Sequence, residues 1–449
     1  MQFLAFLKDS FREARNGWVL QAMLVLAFLL VLFVASISFT PTNVETSVSS
    51  PLGLMNWSFR NNPNLAGVKL EVQNYKESNP REPWNSDYDF DFVVNANSPD
   101  QLKLLDENRQ LPVSRARVER FIGQAVDVLK NVKVEKRDPL SPSEVRFRVT
   151  SQGTKAKDVT EWPHLPKILF AFEAPLFITP LRNGVYFIEN YIVSGAGAWV
   201  ILFISVVITS GFIPNMLQKG TVDLAISKPI TRPVLLIYKF IGGLIFTLLL
   251  TAFTIGGAYL AIGLRTNMWN HNFLLSIPLI VAYFSILYVV STLTAVLTRS
   301  AIVAILFTLI AWGIFFGVGK VNKGVLNREV AVAAQVANPG EAMQAPKPGE
   351  DVDLDGIISR IDPDAPLWGF IPKSTFGIVK AVYFVCPRTY QLDERLDQLI
   401  AEGILPEEDK KLIKLEKTVA SWGEILGISF GFIACVLGLA CWRFASRDS

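Results

Sequence analysis

Residues 211–243 read GFIPNMLQKGTVDLAISKPITRPVLLIYKFIGG. A polar, basic stretch lies between two runs apolar enough to cross a membrane. Gly220 or Thr221 can start a short helix whose apolar content is Val222, Leu224, Ala225 and Ile226 and whose end is Pro229. Asp223, near its start, suits the positive end of the helix dipole. Lys219, Lys228 and Arg232 can pair with acidic groups on a partner or with anionic lipid head groups. Lys239 stands at the mouth of the next apolar run. The plainer alternative is that these cations only fix topology, as basic loops do on the cytoplasmic side.

Working outward, six segments reach the roughly 20 apolar residues needed to span a bilayer: 18–39, 191–214, 237–263, 273–297, 300–318 and 422–442. With the N-terminus inside, Lys8, Arg12, Arg15, Lys219, Lys228, Arg232, Lys239, Arg299, Arg443 and Arg447 all fall inside. The short loop after the third span, outside, carries Arg265. Six crossings return the tail, 443–449, to the inside, and segment 215–236 becomes a cytoplasmic loop. Within residues 1–17, Phe3, Leu4, Leu7, Phe11 and Ala14 share one helical face, opposite Lys8, Arg12, Glu13 and Arg15, so this segment is expected to lie in the membrane interface.

Two long segments then fall outside. In 40–190, Tyr88, Phe90, Phe92 and Val94 alternate with Asp89, Asp91 and Val93, and Val145, Phe147 and Val149 alternate with Arg146, Arg148 and Thr150. Both patterns predict half-buried strands. Val118, Phe121, Ile122, Ala125 and Leu129 fit one face of a helix begun by Ser114. The fold class expected is an α-helical membrane bundle of six spans with an inserted extracytoplasmic α+β domain. The second segment, 319–421, opens on a Pro/Gly/Ala/Glu-rich stretch at 333–353 that reads as disordered. It contains an apolar run at 374–386, too short to span and expected to be re-entrant or interfacial, and two amphipathic helices, one carrying Leu392, Leu396, Leu399 and Ile400, the other running from Glu407.

About half the 449 residues are apolar and 18% are charged, a balance that implies membrane and water-exposed parts together. A net charge of +3 gives no footprint for nucleic acid. Three cysteines and two separated histidines, His164 and His271, offer no disulfide framework and no metal-ligand spacing. Span interiors carry hydroxyls (Thr209, Ser210, Thr251, Thr254, Ser285, Ser291, Thr292, Thr308) and no ionisable group, which argues against ion coupling. These hydroxyls are expected to bond to backbone or to a neighbouring helix more than to any substrate. No G-x-x-x-x-G-K-[ST] occurs, so this chain has no Walker A route to ATP.

The order Gly220-Thr221, then Pro229-Ile230-Thr231-Arg232, then Lys239-Phe240-Ile241-Gly242 resembles the loop between the second and third spans of type-2 ABC transporter permeases. The six-span plan and the amphipathic N-terminus fit that resemblance, which covers about half the chain. It departs in one respect: the glutamates usual before the Gly-Thr are replaced by Asn215-Met216-Leu217-Gln218-Lys219. The resemblance implies a permease subunit of an ATP-driven exporter in the bacterial inner membrane, with no catalytic site or cofactor of its own. ATP and Mg would sit on a separate ABC ATPase subunit docked on 215–236, through Lys219, Gly220, Thr221, Asp223, Lys228, Pro229, Arg232 and Lys239. A second permease copy or a related chain would complete the pathway. Two rival classes stay open: a mechanotransmission protein whose outer domain acts on an envelope partner without transport, and a membrane-anchored enzyme, which would need an outward catalytic cluster.

Overall fold

The computed structural model describes residues 19–60, 62, 65–99, 101–102, 114–126, 129–153, 159–174, 178–216, 231–337, 366–406 and 420–446. The amphipathic N-terminal segment, the helix expected at 221–229 and the one expected from Glu407 lie outside them. The described residues form two compact units. One holds 31–188 with 260–269, the other the remainder.

Helix α1, Val19–Ala35, is shorter than the crossing expected at 18–39. The Ser36 hydroxyl closes it on the Phe33 carbonyl at 2.6 Å, and the chain passes into strand β1, Ser38–Pro41, whose backbone pairs elsewhere. Helix α2, Val44–Arg60, follows, then strands β2, Lys69–Glu77, and β3, Asp87–Asn95. Helix α3, Arg115–Ala125, precedes β4, Lys130–Arg137, and β5, Glu144–Gln152. Strands β6, Pro163–Ile168, β7, Phe172–Glu173, and β8, Thr179–Pro180, complete the unit.

The alternating stretches at 88–94 and 145–149 are β3 and β5, paired antiparallel with Phe92 opposite Phe147. The sheet order is β2-β3-β5-β4. Its apolar face packs Phe90, Phe92, Phe147 and Val149 against Val118 and Ile122 of α3 and Val48 and Leu52 of α2. Ser114 stands at the cap position of α3 without making a side-chain capping bond. Strand β3 is buried on both faces rather than one. Asp91, on its polar face, receives 2.8 Å from Asn74 and lies 3.5 Å from Arg146 and 3.7 Å from Arg137, so those side chains cover it. A second antiparallel sheet runs β1-β6-β7, with β8 also on β6. Trp162 anchors it, donating from Nε1 to the Thr42 carbonyl at 2.7 Å.

The remaining elements are helices; residues 181–188 and 260–269 among them belong to the sheet unit and the rest to the other. The apolar run at 191–214 is not one helix: α4, Leu181–Val193, α5, Ala196–Thr209, and α6, Phe212–Met216, are separated at Ser194-Gly195 and Ser210-Gly211. Helix α7, Arg232–Thr266, and the pair α8, His271–Leu274, and α9, Ser276–Thr298, follow. Helix α10, Ala301–Ala337, runs well past the expected end at 318 and into the stretch read as disordered. No proline occurs between 301 and 338, and residues 327–337 favour helix, so nothing stops it. Helix α11, Phe376–Val385, occupies the short apolar run, with Ile378, Phe384 and Val385 exposed. Helix α12, Thr389–Ile404, buries Leu392, Leu396 and Ile400. Helix α13, Trp422–Ala445, starts on Ser421, whose side chain accepts from the Glu424 N–H.

Among the described residues, five stretches are long and apolar enough to cross a membrane: Leu181–Met216, Arg232–Thr266, His271–Thr298, Ala301–Glu329 and Trp422–Ala445, with Leu24–Ala35 a shorter apolar helix. Helix α9 is central, packed against α5, α6, α10, α12 and α13.

Candidate functional site

The two ends of segment 217–230 are gripped by one apolar node. On the incoming side, α6 contributes Ile213 and Met216. On the outgoing side, the first turns of α7 contribute Leu235 and Leu236. Ala295 and Val296 of α9, Ala304 of α10, and Ala440 and Phe444 of α13 fill the space between. Cys441 adds a contact with the Pro233 carbonyl at 4.0 Å. Interiors packed this way are stiff. The node thus joins α6 and the start of α7 to α9, α10 and α13. Arg232, Arg299 and Arg443 lie at this end of those helices, which gathers basic residues there.

Above the node, α7 and α9 meet at a close approach. Phe240 stacks on Tyr288 at 5.0 Å with 6° between ring planes, and Phe284 stacks on Tyr288 at 5.2 Å. A Cβ on Gly243 would lie 2.6 Å from the Tyr288 ring, so any larger residue there must displace that ring. Phe246, one turn on, meets Phe212 of α6 at 6.3 Å. Neither Gly243 nor Tyr288 stands out in the loop pattern. The Gly242-Gly243 doublet is the one signal in the sequence that could have pointed to the crossing.

The sequence-predicted residues divide sharply. Lys219, Gly220, Thr221, Asp223, Lys228 and Pro229 lie outside the described residues. Arg232 is the first residue of α7 and half-buried. Lys239 is two turns further along α7 and buried.

Of the hydroxyls noted in the spans, five bond back to carbonyls of their own helix: Thr209 to Ser205 at 2.7 Å, Ser210 to Val207 at 2.7 Å, Thr254 to Leu250 at 2.9 Å, Ser285 to Ala282 at 2.7 Å and Thr308 to Ala304 at 2.7 Å. The structural role expected of them holds there. Among the described residues, the side-chain hydroxyls of Thr251, Ser291 and Thr292 find no hydrogen-bond partner, nor do those of Ser205, Thr247 and Tyr288.

The far end of the bundle is held by polar pins instead. Asn270 donates from Nδ2 to Glu189 at 2.6 Å and to the Ile400 carbonyl at 3.2 Å, and Asn272 donates to the Leu399 carbonyl at 3.1 Å. Ser194 bonds Asp397, and Lys323 pairs with Glu394. Arg388 pairs with Glu424 at 3.3 Å, and Arg395 donates to the Ala420 carbonyl at 2.7 Å. Among the described residues, no three His, Cys, Asp or Glu side chains gather as a metal site.

Apolar helices long enough to cross a membrane, together with an antiparallel sheet unit, are the make-up of a multi-pass membrane protein. The chain matches the family described as ABC-2 family transporter protein over residues 4–449, and it belongs to that family. It is a transporter membrane subunit of the ABC type, a class that in general works with an ABC ATPase and is not itself catalytic. Neither the curated proteins nor the solved structures compared with it include a match.

Proposed function

We propose that this chain is the membrane half of an ATP-driven exporter, worked from 215–236 by a separate ATPase that carries the ATP and Mg. The observation behind this reading is the node: both ends of the segment enter one apolar cluster that also holds the ends of α9, α10 and α13. A rotation of a docked subunit would tilt those helices together. Six crossings, with α1 as the first and α4–α6 as a broken second, leave both termini and the basic loop in the cytoplasm, and the sheet unit outside. A second copy of the permease completes a pathway of about twelve crossings. The inner membrane of a bacterium is the compartment this plan suits.

The test is co-purification in detergent with the ATPase that accompanies the chain. Gly220→Trp and Arg232→Glu, in the full-length protein, are expected to reduce the recovered ATPase while the permease still folds by thermal scan. Unchanged association for both variants would overturn the docking reading.

A further inference from the structure

We propose that the β6–β7 hairpin is a membrane-inserting tip that seats the sheet unit in the lipid interface beside α7. The tip is Leu169-Phe170-Ala171-Phe172, and its large side chains are uncovered: Leu169 is 52% exposed, Phe170 59% and Phe172 67%. Leu169 and Phe170 both adopt positive φ, 51° and 61°, a conformation that side chains of this size rarely take. The turn thus holds apolar groups outward at a local cost. At the shoulders, Lys167 pairs with Glu173 at 3.0 Å across the hairpin. An apolar tip with charged shoulders suits the boundary between acyl chains and head groups.

The depth of the tip is set by α7. The Arg265 guanidinium lies 4.7 Å from the centre of the Phe170 ring. Arg265 is the first charge after Lys239, with 25 uncharged residues, 240–264, between them. That stretch measures about 37 Å as helix, enough to cross a hydrocarbon core of about 30 Å with some tilt. Arg265 therefore marks a bilayer surface, and the ring it covers lies at the same depth. Leu264, 78% exposed, and Trp269, packed back on Gly263, extend the apolar and aromatic surface at that level. The occupant is lipid, because the surface continues along a membrane-crossing helix. The inference rests on α7 spanning the membrane and needs no assignment of which side faces out.

The experiment uses the full chain in nanodiscs, with Cys386, Cys435 and Cys441 each replaced by serine. Single cysteines at Phe172, Leu140 and Leu249 carry an environment-sensitive fluorophore, and nitroxide lipids quench it. Leu140, 80% exposed in the same unit, is the wet control, and Leu249, mid-α7, is the deep control. The Phe172→Cys probe is expected to emit at shorter wavelength than the Leu140→Cys probe and to be quenched best by nitroxides near the lipid carbonyls. The Leu249→Cys probe is expected to be quenched best by nitroxides deep in the chains. A Phe172→Cys probe as wet and unquenched as Leu140→Cys, with Leu249→Cys quenched, overturns the tip alone. A dry Phe172→Cys probe that lipid nitroxides do not reach, forming disulfide-linked dimers without the label, assigns the surface to a second copy and overturns it too. An unquenched Leu249→Cys probe removes the spanning of α7, and the tip falls with it.

Discussion

Gly243 sets how closely α7 approaches α9. Replacing it with valine puts a methyl group inside the Tyr288 ring contact, 2.6 Å from where a Cβ alone would stand. Overpacking of this kind costs about 1–3 kcal/mol. A Gly243→Val chain is expected to melt several degrees lower in detergent, and adding Tyr288→Ala is expected to recover part of the loss. His164 offers a pH test in the sheet unit. Its Nδ1 donates to the Trp162 carbonyl at 2.7 Å, and burial holds its pKa below the usual histidine range. The unfolded chain takes up that proton near pH 6.5 while the folded chain resists it. Above about pH 7 the group has no effect, and stability falls as pH drops from about 6.5 toward the lowered folded value. His164→Gln is expected to flatten that part of the stability curve, read as amide exchange in β6. At this scale the sequence exposes pattern and hides proximity. Phe90, Phe92 and Val149 announce their burial by alternation. Gly243 and Tyr288 are 45 positions apart, and nothing local links them.

At the scale of elements, helices ended where local chemistry ends them and not where apolar runs do. The run at 191–214 looks continuous, yet Ser194-Gly195 and Ser210-Gly211 divide it. The glycines at 317, 319 and 324 suggest an end to the fifth crossing, but they are tolerated because the helix packs onward. Gly319 sits under Tyr390, and Val325 joins Leu367 and Phe376. The apolar run at 374–386 was legible because its length alone excludes a crossing. Hydrogen bonds to the α8 cap were not legible, since Asn270 reaches Glu189 and Ile400 across long sequence separations. Asn270→Ala leaves the buried Glu189 carboxyl group without that donor, a loss of about 1–3 kcal/mol. Amide exchange in α12 is expected to quicken in this variant. Glu189→Leu with Asn270→Leu removes both partners and is expected to be closer to the parent than Asn270→Ala.

At the scale of the whole molecule, one end of the helical unit is joined by apolar packing and the other by hydrogen bonds. Apolar packing tolerates sliding poorly and transmits displacement. Under the proposed coupling, a push on the segment that enters that end would move α7, α9, α10 and α13 as a set. The bundle, the sheet unit and the family were legible in span lengths, alternation and the Gly-Thr to Lys-x-x-Gly order. The node was not, because Ala295, Ala304 and Ala440 carry no mark in sequence beyond being small and apolar. The most direct measurement places a photo-cross-linking residue at Leu224 of the full chain in intact cells. The expected product joins this chain to a protein bearing Walker motifs, with none formed from Leu140. No such product from Leu224, together with its labelling by a membrane-impermeant reagent from outside the cell, would contradict the coupling role.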